Sequence, residues 1–134
     1  MIKNFVLLVL LFAMTAFSQA QYNSSHTIVH IFGLNNDGGA MATRTESMLV
    51  FPRRPDKTKP VGVYDGDLNF IAFIRITDVN KDEMYFCSVN NQRSMIQWFK
   101  RYNFIWFTTE DIYGDKMTFK LDLSGFTRHF NGLR

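Results

Sequence analysis

The sequence predicts an all-β fold, an antiparallel β-sandwich or small barrel of about eight strands. Three observations carry that expectation. Short runs rich in β-branched and aromatic residues are separated by clusters of Gly, Asn, Asp and Pro, the punctuation of hairpin-connected strands. Residues 116–123 alternate strictly, with Met117, Phe119, Leu121 and Leu123 on one side and Lys116, Thr118, Lys120 and Asp122 on the other, the period of a half-buried strand. No segment combines helical periodicity with helix caps.

In chain order, Lys3 precedes an apolar run over residues 5–17, and Ser18-Gln19-Ala20 follows. A basic start, an apolar stretch of this length and small residues at its end are the layout of a secretory signal peptide. The run is shorter than the roughly 20 apolar residues that a membrane span needs. The expected organisation is a signal peptide over 1–20, one β-domain over 21–123 and a C-terminal tail over 124–134. Loss of Lys3 leaves 14 basic against 12 acidic side chains, too even a balance for the basic stripe of a nucleic-acid binder. Cys87 is the only cysteine, so no internal disulfide forms. The thiol reads either as a buried, inert group or as one half of an intermolecular disulfide linking a dimer. An aromatic-rich core has to hold the domain together in place of covalent staples.

Asn23-Ser24-Ser25 is a glycosylation acceptor in an exported chain. Residues 26–32 read as the first strand, ending at Gly33. His26 and His30 would lie about 13 Å apart in it, too far to share a metal ion. Residues 43–51 form a weaker strand. Residues 52–60 hold all three prolines and four cations, Arg53, Arg54, Lys57 and Lys59. Prolines cannot donate to a ladder, so this segment is expected outside the sheet and in solvent. It reads as a basic contact loop for an anionic partner, backed by Lys100 and Arg101 if these lie near, or as a plain solvated connection. Processing at Arg53-Arg54 is disfavoured by Pro55 on the far side of the bond.

Asp65-Gly66-Asp67 between extended runs is a hairpin signal. Residues 68–77 are expected to be the central strand, with Leu68, Phe70, Ala72, Ile74 and Ile76 on a fully buried face. That burial is worth about 6–12 kcal/mol, so a charge at Phe70 should unfold the domain. Residues 78–82 form a second turn. Glu83 and Val89 stand where a calcium loop needs Gly and an acid, which excludes that ion there. Residues 84–89 return as a strand. Residues 95–102 fit both periods, and their aromatic weight favours strand. Residues 104–113 and 116–123 complete the set, and the tail is either a docked edge or disordered.

Catalytic, metal-binding and cofactor motifs are missing from this pattern, and the chain reads as a non-enzyme. Glu110, Asp111 and Asp115 are the candidate paired carboxylates, and Cys87 with His129 the candidate nucleophile and base. Turn-side carboxylates are usually solvated. The function expected is surface binding by a secreted protein, with a carrier of a small apolar ligand inside a barrel as the alternative. The partner would be a protein, a glycan or an anionic surface.

Four segments, His30-Ile31-Phe32-Gly33, Glu46-Ser47-Met48-Leu49-Val50, the run from Asn69 through Phe73 to Asp78, and Glu110-Asp111-Ile112-Tyr113-Gly114, resemble the small secreted insect proteins named after multiprotein bridging factor 2. The resemblance spans residues 28–114. It departs in lacking glycine over 90–93 and in adding 20 residues after Gly114. It implies an extracellular β-domain of gut, salivary or reproductive secretions or of responses to infection and stress, with no catalytic residues. The coactivator activity of the founding member conflicts with export and is not carried over.

Overall fold

The computed structural model describes residues 21–25, 27–80 and 85–134. The expected signal peptide, His26 and residues 81–84 lie outside these. Among the described residues nine strands form one antiparallel sheet: β1 (Gln21–Ser24), β2 (Val29–Phe32), β3 (Gly39–Ala42), β4 (Ser47–Phe51), β5 (Pro60–Asp65), β6 (Phe70–Val79), β7 (Tyr85–Val89), β8 (Phe104–Glu110) and β9 (Lys116–Asp122). Their spatial order is β1-β2-β3-β4-β7-β6-β5-β8-β9. An isolated bridge from Gly33, after β2, to Leu121 on β9 brings the sheet nearly closed. The class is therefore the expected all-β, barrel-like one.

Alternation on β8 and β9 builds the interior. Ile105 and Phe107 on β8 and Met117, Phe119 and Leu121 on β9 are buried. Phe107 stacks on Phe119 at 5.2 Å, and Phe51 meets the same ring edge-on at 5.4 Å. Val61 and Val63 of β5 and Ile74 of β6 complete this wall, all fully buried.

Several expectations are corrected. Residues 95–102 are not a strand: α1 spans Gln92–Arg101 and buries Met95, Ile96 and Phe99. Asn91 takes φ 58° at its N-cap without a side-chain cap bond, so the usual start signal is missing from the sequence. Ser47 Oγ donates to the Gln92 carbonyl at 3.1 Å, tying α1 to β4. The tail forms α2 (Phe126–Asn131), whose Phe126 is fully buried and meets Phe99 edge-on at 5.4 Å. Two strands, β1 and β3, lie outside the expected set. The Gly-Ala-Met-Ala sequence of β3 has weak strand propensity, and pairing on both sides makes it a strand. Residues 43–46 turn instead, with Thr43 Oγ1 accepting from the Glu46 N–H.

The proline segment is not wholly outside the sheet. Pro55 is buried and bridges Asp111, while Pro60 opens β5, a strand position that tolerates proline. Cys87 is fully buried on β7, paired with Leu49 and Val79 on its two neighbours. Burial pushes its thiol up to about 12, with Asp78 adding to the shift. A dimer disulfide through Cys87 therefore has no support.

The largest correction concerns the expected central face. Leu68 and Phe70 are exposed, while Ile74 and Ile76 are buried as expected. Leu68 lies in the hairpin tip before β6, and Ala72 is half-buried; register explains Phe70. Val63 pairs with Ala72 but the next residue, Tyr64, pairs with Phe70. Ile71 is the extra residue of a β-bulge, and it throws Phe70 onto the opposite face from Ala72 and Ile74.

Candidate functional site

The predicted basic loop is partly neutralised. Arg53 Nε donates to Asp111 Oδ2 at 2.9 Å and its Nη2 to the Lys116 carbonyl at 3.1 Å. Lys59 Nζ lies 3.7 Å from Glu110 Oε2. Arg54 and Lys57 are exposed, and the Arg54 carbonyl accepts from the Ile112 N–H. Lys100 and Arg101 end α1 next to the start of β8, whereas the loop meets the far end of β8. A seven-residue strand separates them by roughly 20 Å, so they do not back the loop. Asn23 pairs with His30 on β2, placing the glycosylation acceptor on the outermost strand of the sheet.

Of Glu110, Asp111 and Asp115, the Asp111 carboxylate organises the β8–β9 turn, while Glu110 meets Lys59 and Asp115 supplies a backbone N–H. Asp111 Oδ1 accepts from the N–H groups of Tyr113 and Asp115, both at 2.9 Å, while Oδ2 takes Arg53. Burial pushes the Asp111 carboxyl up, but the Asp115 N–H, the Arg53 side chain and the Tyr113 N–H hold it below the usual carboxylate range. A pKa lowered on folding stabilises the fold above the unfolded-state value of about 3.9, and the contribution is lost as pH falls through the folded-state value. Asp111→Asn should therefore lower stability at neutral pH. The gap from the parent chain should close as pH falls below about 4 and on through the lowered folded-state value. Urea titrations across that range check it, and a gap constant with pH would contradict the assignment.

A different face carries the larger exposed surface. Outward residues of four adjacent strands fall in register: Phe70 opposite Tyr64, Tyr64 opposite Trp106, and Trp106 opposite Lys120. The next row reads Phe73, Gly62, Thr108, Thr118. Phe70 meets Tyr64 edge-on at 5.6 Å and Phe73 at 4.8 Å. Lys120 Nζ sits 4.4 Å above the Phe104 ring and 5.0 Å from Trp106, within cation–π range. Gly62 is what lets Tyr64 lie down along β5: a Cβ there would come within 2.9 Å of the Tyr64 ring and 3.1 Å of Thr108.

This face is open. Leu68 is 63 % exposed, Phe70 53 % and Phe73 60 %. Leu68 takes φ 64°, a left-handed conformation rare for a branched aliphatic residue. The hairpin tip holds it there, because Asp65 Oδ1 accepts from the N–H groups of Asp67 and Asn69, and Oδ2 accepts from Asn69 Nδ2. Between Tyr64, Leu68, Trp106 and Lys116 runs a groove of about 230 Å³. A more polar groove of about 480 Å³ adjoins it at Phe104 and Lys120, with Asp65, Asp67 and Arg101 among its lining residues. The loop side carries a third, of about 450 Å³, beside the exposed Ile112 and Tyr113.

No family model, curated protein or solved structure matches the chain. Among the described residues no group of three or more His, Cys, Asp or Glu is placed to hold a metal ion. No helix among them is long and apolar enough to cross a membrane. The aromatic face was missed in the sequence because the Ile71 bulge inverts the expected alternation. One signal pointed to it: Phe104 and Trp106 alternate with Ile105 and Phe107, so β8 is aromatic on both faces.

Proposed function

We propose that the chain is a secreted, non-enzymatic protein that acts by surface binding, with the outer face of β6, β5, β8 and β9 as its working surface. Export rests on the N-terminal apolar run and the small residues before Gln21. The resemblance to the bridging-factor-2 proteins supports the same setting, in secretions or in responses to infection and stress. The observation that carries the binding surface is the clustering of Leu68, Phe70 and Phe73, three large apolar side chains each more than half exposed. Contiguous apolar exposure of this kind marks interaction sites, whereas single exposed apolar residues are ordinary. The proline loop contributes through Arg54 and Lys57. The carrier reading has less support, since Phe51, Phe107 and Phe119 pack against one another inside the barrel.

The test uses the chain expressed from its full sequence. It should be retained on a phenyl matrix, and Phe70→Ser with Phe73→Ser should abolish retention while leaving the melting temperature within a few degrees. Equal retention of parent and variant, or unfolding of the variant, would remove this face as the working surface.

A further inference from the structure

We propose that this face docks peripherally on an anionic lipid surface, with Leu68, Phe70 and Phe73 entering the headgroup boundary and Arg75, Lys116 and Lys120 meeting the headgroups. The inference rests on the surface-binding reading above and names its partner. Chemistry separates it from other occupants. The most exposed members are Leu and Phe, which offer no hydrogen bond, while Tyr64 and Trp106 stand half-buried behind them. That layering matches an interface, where amphipathic rings sit at the level between hydrocarbon and water. The groove of about 230 Å³ is smaller than pockets that enclose a small molecule, and the larger one of about 480 Å³ is lined by Asp65, Asp67, Arg101 and Lys120 rather than by the apolar side chains such pockets need, so an extended surface fits better than a single ligand.

Presentation is rigid. The three hydrogen bonds to the Asp65 carboxylate fix the tip, and Leu68 keeps its left-handed φ. A preset tip loses little freedom on docking. The cations lie on the same outer face: Arg75 two residues beyond Phe73 on β6, and Lys116 and Lys120 on β9. Each basic residue near an anionic bilayer strengthens binding about fivefold at moderate salt. Of the acids nearby, Glu110 lies opposite Lys116 on β9 and 3.7 Å from Lys59, and Asp65 holds the turn through its carboxylate; Asp67, exposed beside Leu68, and Asp115, exposed beside Lys116, are the two that oppose docking.

Vesicle flotation tests the proposal, comparing phosphatidylcholine alone with a mixture holding about 30 % phosphatidylserine. The chain should float with the mixed vesicles at low salt and be released as salt rises towards about 0.5 M. Phe70→Ser with Phe73→Ser should weaken partitioning about tenfold or more. Lys116→Glu with Lys120→Glu should do the same, and Asp67→Asn should strengthen it by about fivefold. Brominated acyl chains should quench tryptophan emission in the parent chain and cease to do so after Trp106→Phe, since Trp98 packs against the core. Failure to float at low salt, or flotation unchanged by the paired Phe or paired Lys substitutions, overturns the proposal. So does retention on heparin without flotation, which assigns a glycan, or a dimer in sedimentation that the Phe substitutions dissolve, which assigns a second copy. Persistent retention on the phenyl matrix in those cases would leave the working surface intact and reject the lipid alone.

Discussion

Replacing Phe107 with Ala is expected to destabilise the domain by about 3–5 kcal/mol, whereas Phe70→Asp should change stability by about 0.5 kcal/mol or less. Phe107 is fully buried, pairs with Val63 across β5–β8 and stacks on Phe119. Truncation leaves a void bounded by three strands that cannot collapse together without breaking register. Against a typical net stability of about 5–15 kcal/mol, and with no disulfide to fall back on, that loss places the chain near unfolding. Phe70 has about half its surface in water, so a charge there stays solvated. Urea denaturation of both variants decides the matter, and a larger loss for Phe70→Asp than for Phe107→Ala would mean that the bulge register is wrong.

Gly33→Ala should be nearly as damaging, by about 3 kcal/mol. An added Cβ would sit 1.9 Å from the Asp37 carbonyl oxygen and 2.9 Å from that of Gly38. Both are backbone atoms of a tight turn, closed by the Gly33 N–H donating to the Gly38 carbonyl at 3.0 Å. No side chain can swing away to make room, so the turn itself must move. Its movement carries off the Gly33–Leu121 bridge that brings β9 to β2. Hydrogen exchange along β9 should quicken in the variant together with a lower melting temperature. A variant melting like the parent would show that the turn is not rigid.

Legibility in the sequence followed the range of the interactions involved. On β9, one face meets the core and the other meets water, so Lys116 through Leu121 could be assigned from alternation alone, whereas Asp122, expected in water, is buried. The Asp65-Gly66-Asp67 turn was equally local. Helix α1 was not, because Asn91 begins it through a left-handed backbone rather than through a side-chain cap, and its Met95, Trp98, Phe99 and Tyr102 carry aromatic weight that also suits strands. Strand β3 owes its conformation to its two neighbours. The candidate site was hidden by one residue: Ile71, left over in the ladder, moved Phe70 from an expected interior to the outer face. Of the predicted loop cations, Arg53 and Lys59 turned out to hold the β8–β9 turn to the loop, a partnership between segments too far apart in sequence to be read from spacing.

The strand order also sets how the chain reaches this state. Hairpins β5–β6 and β8–β9 join neighbours in sequence and can zip up in microseconds. The seam between β5 and β8, where Gly62 finds Thr108, has to wait while β6, β7 and α1 are strung between its two sides. Distant pairings of that kind put small β-proteins in the millisecond-to-second range. The meeting of β5 with β8, the ladder most distant in sequence, is accordingly expected to be the slow event in assembling this barrel, and refolding rates should fall more for substitutions along that seam than for those in either hairpin turn.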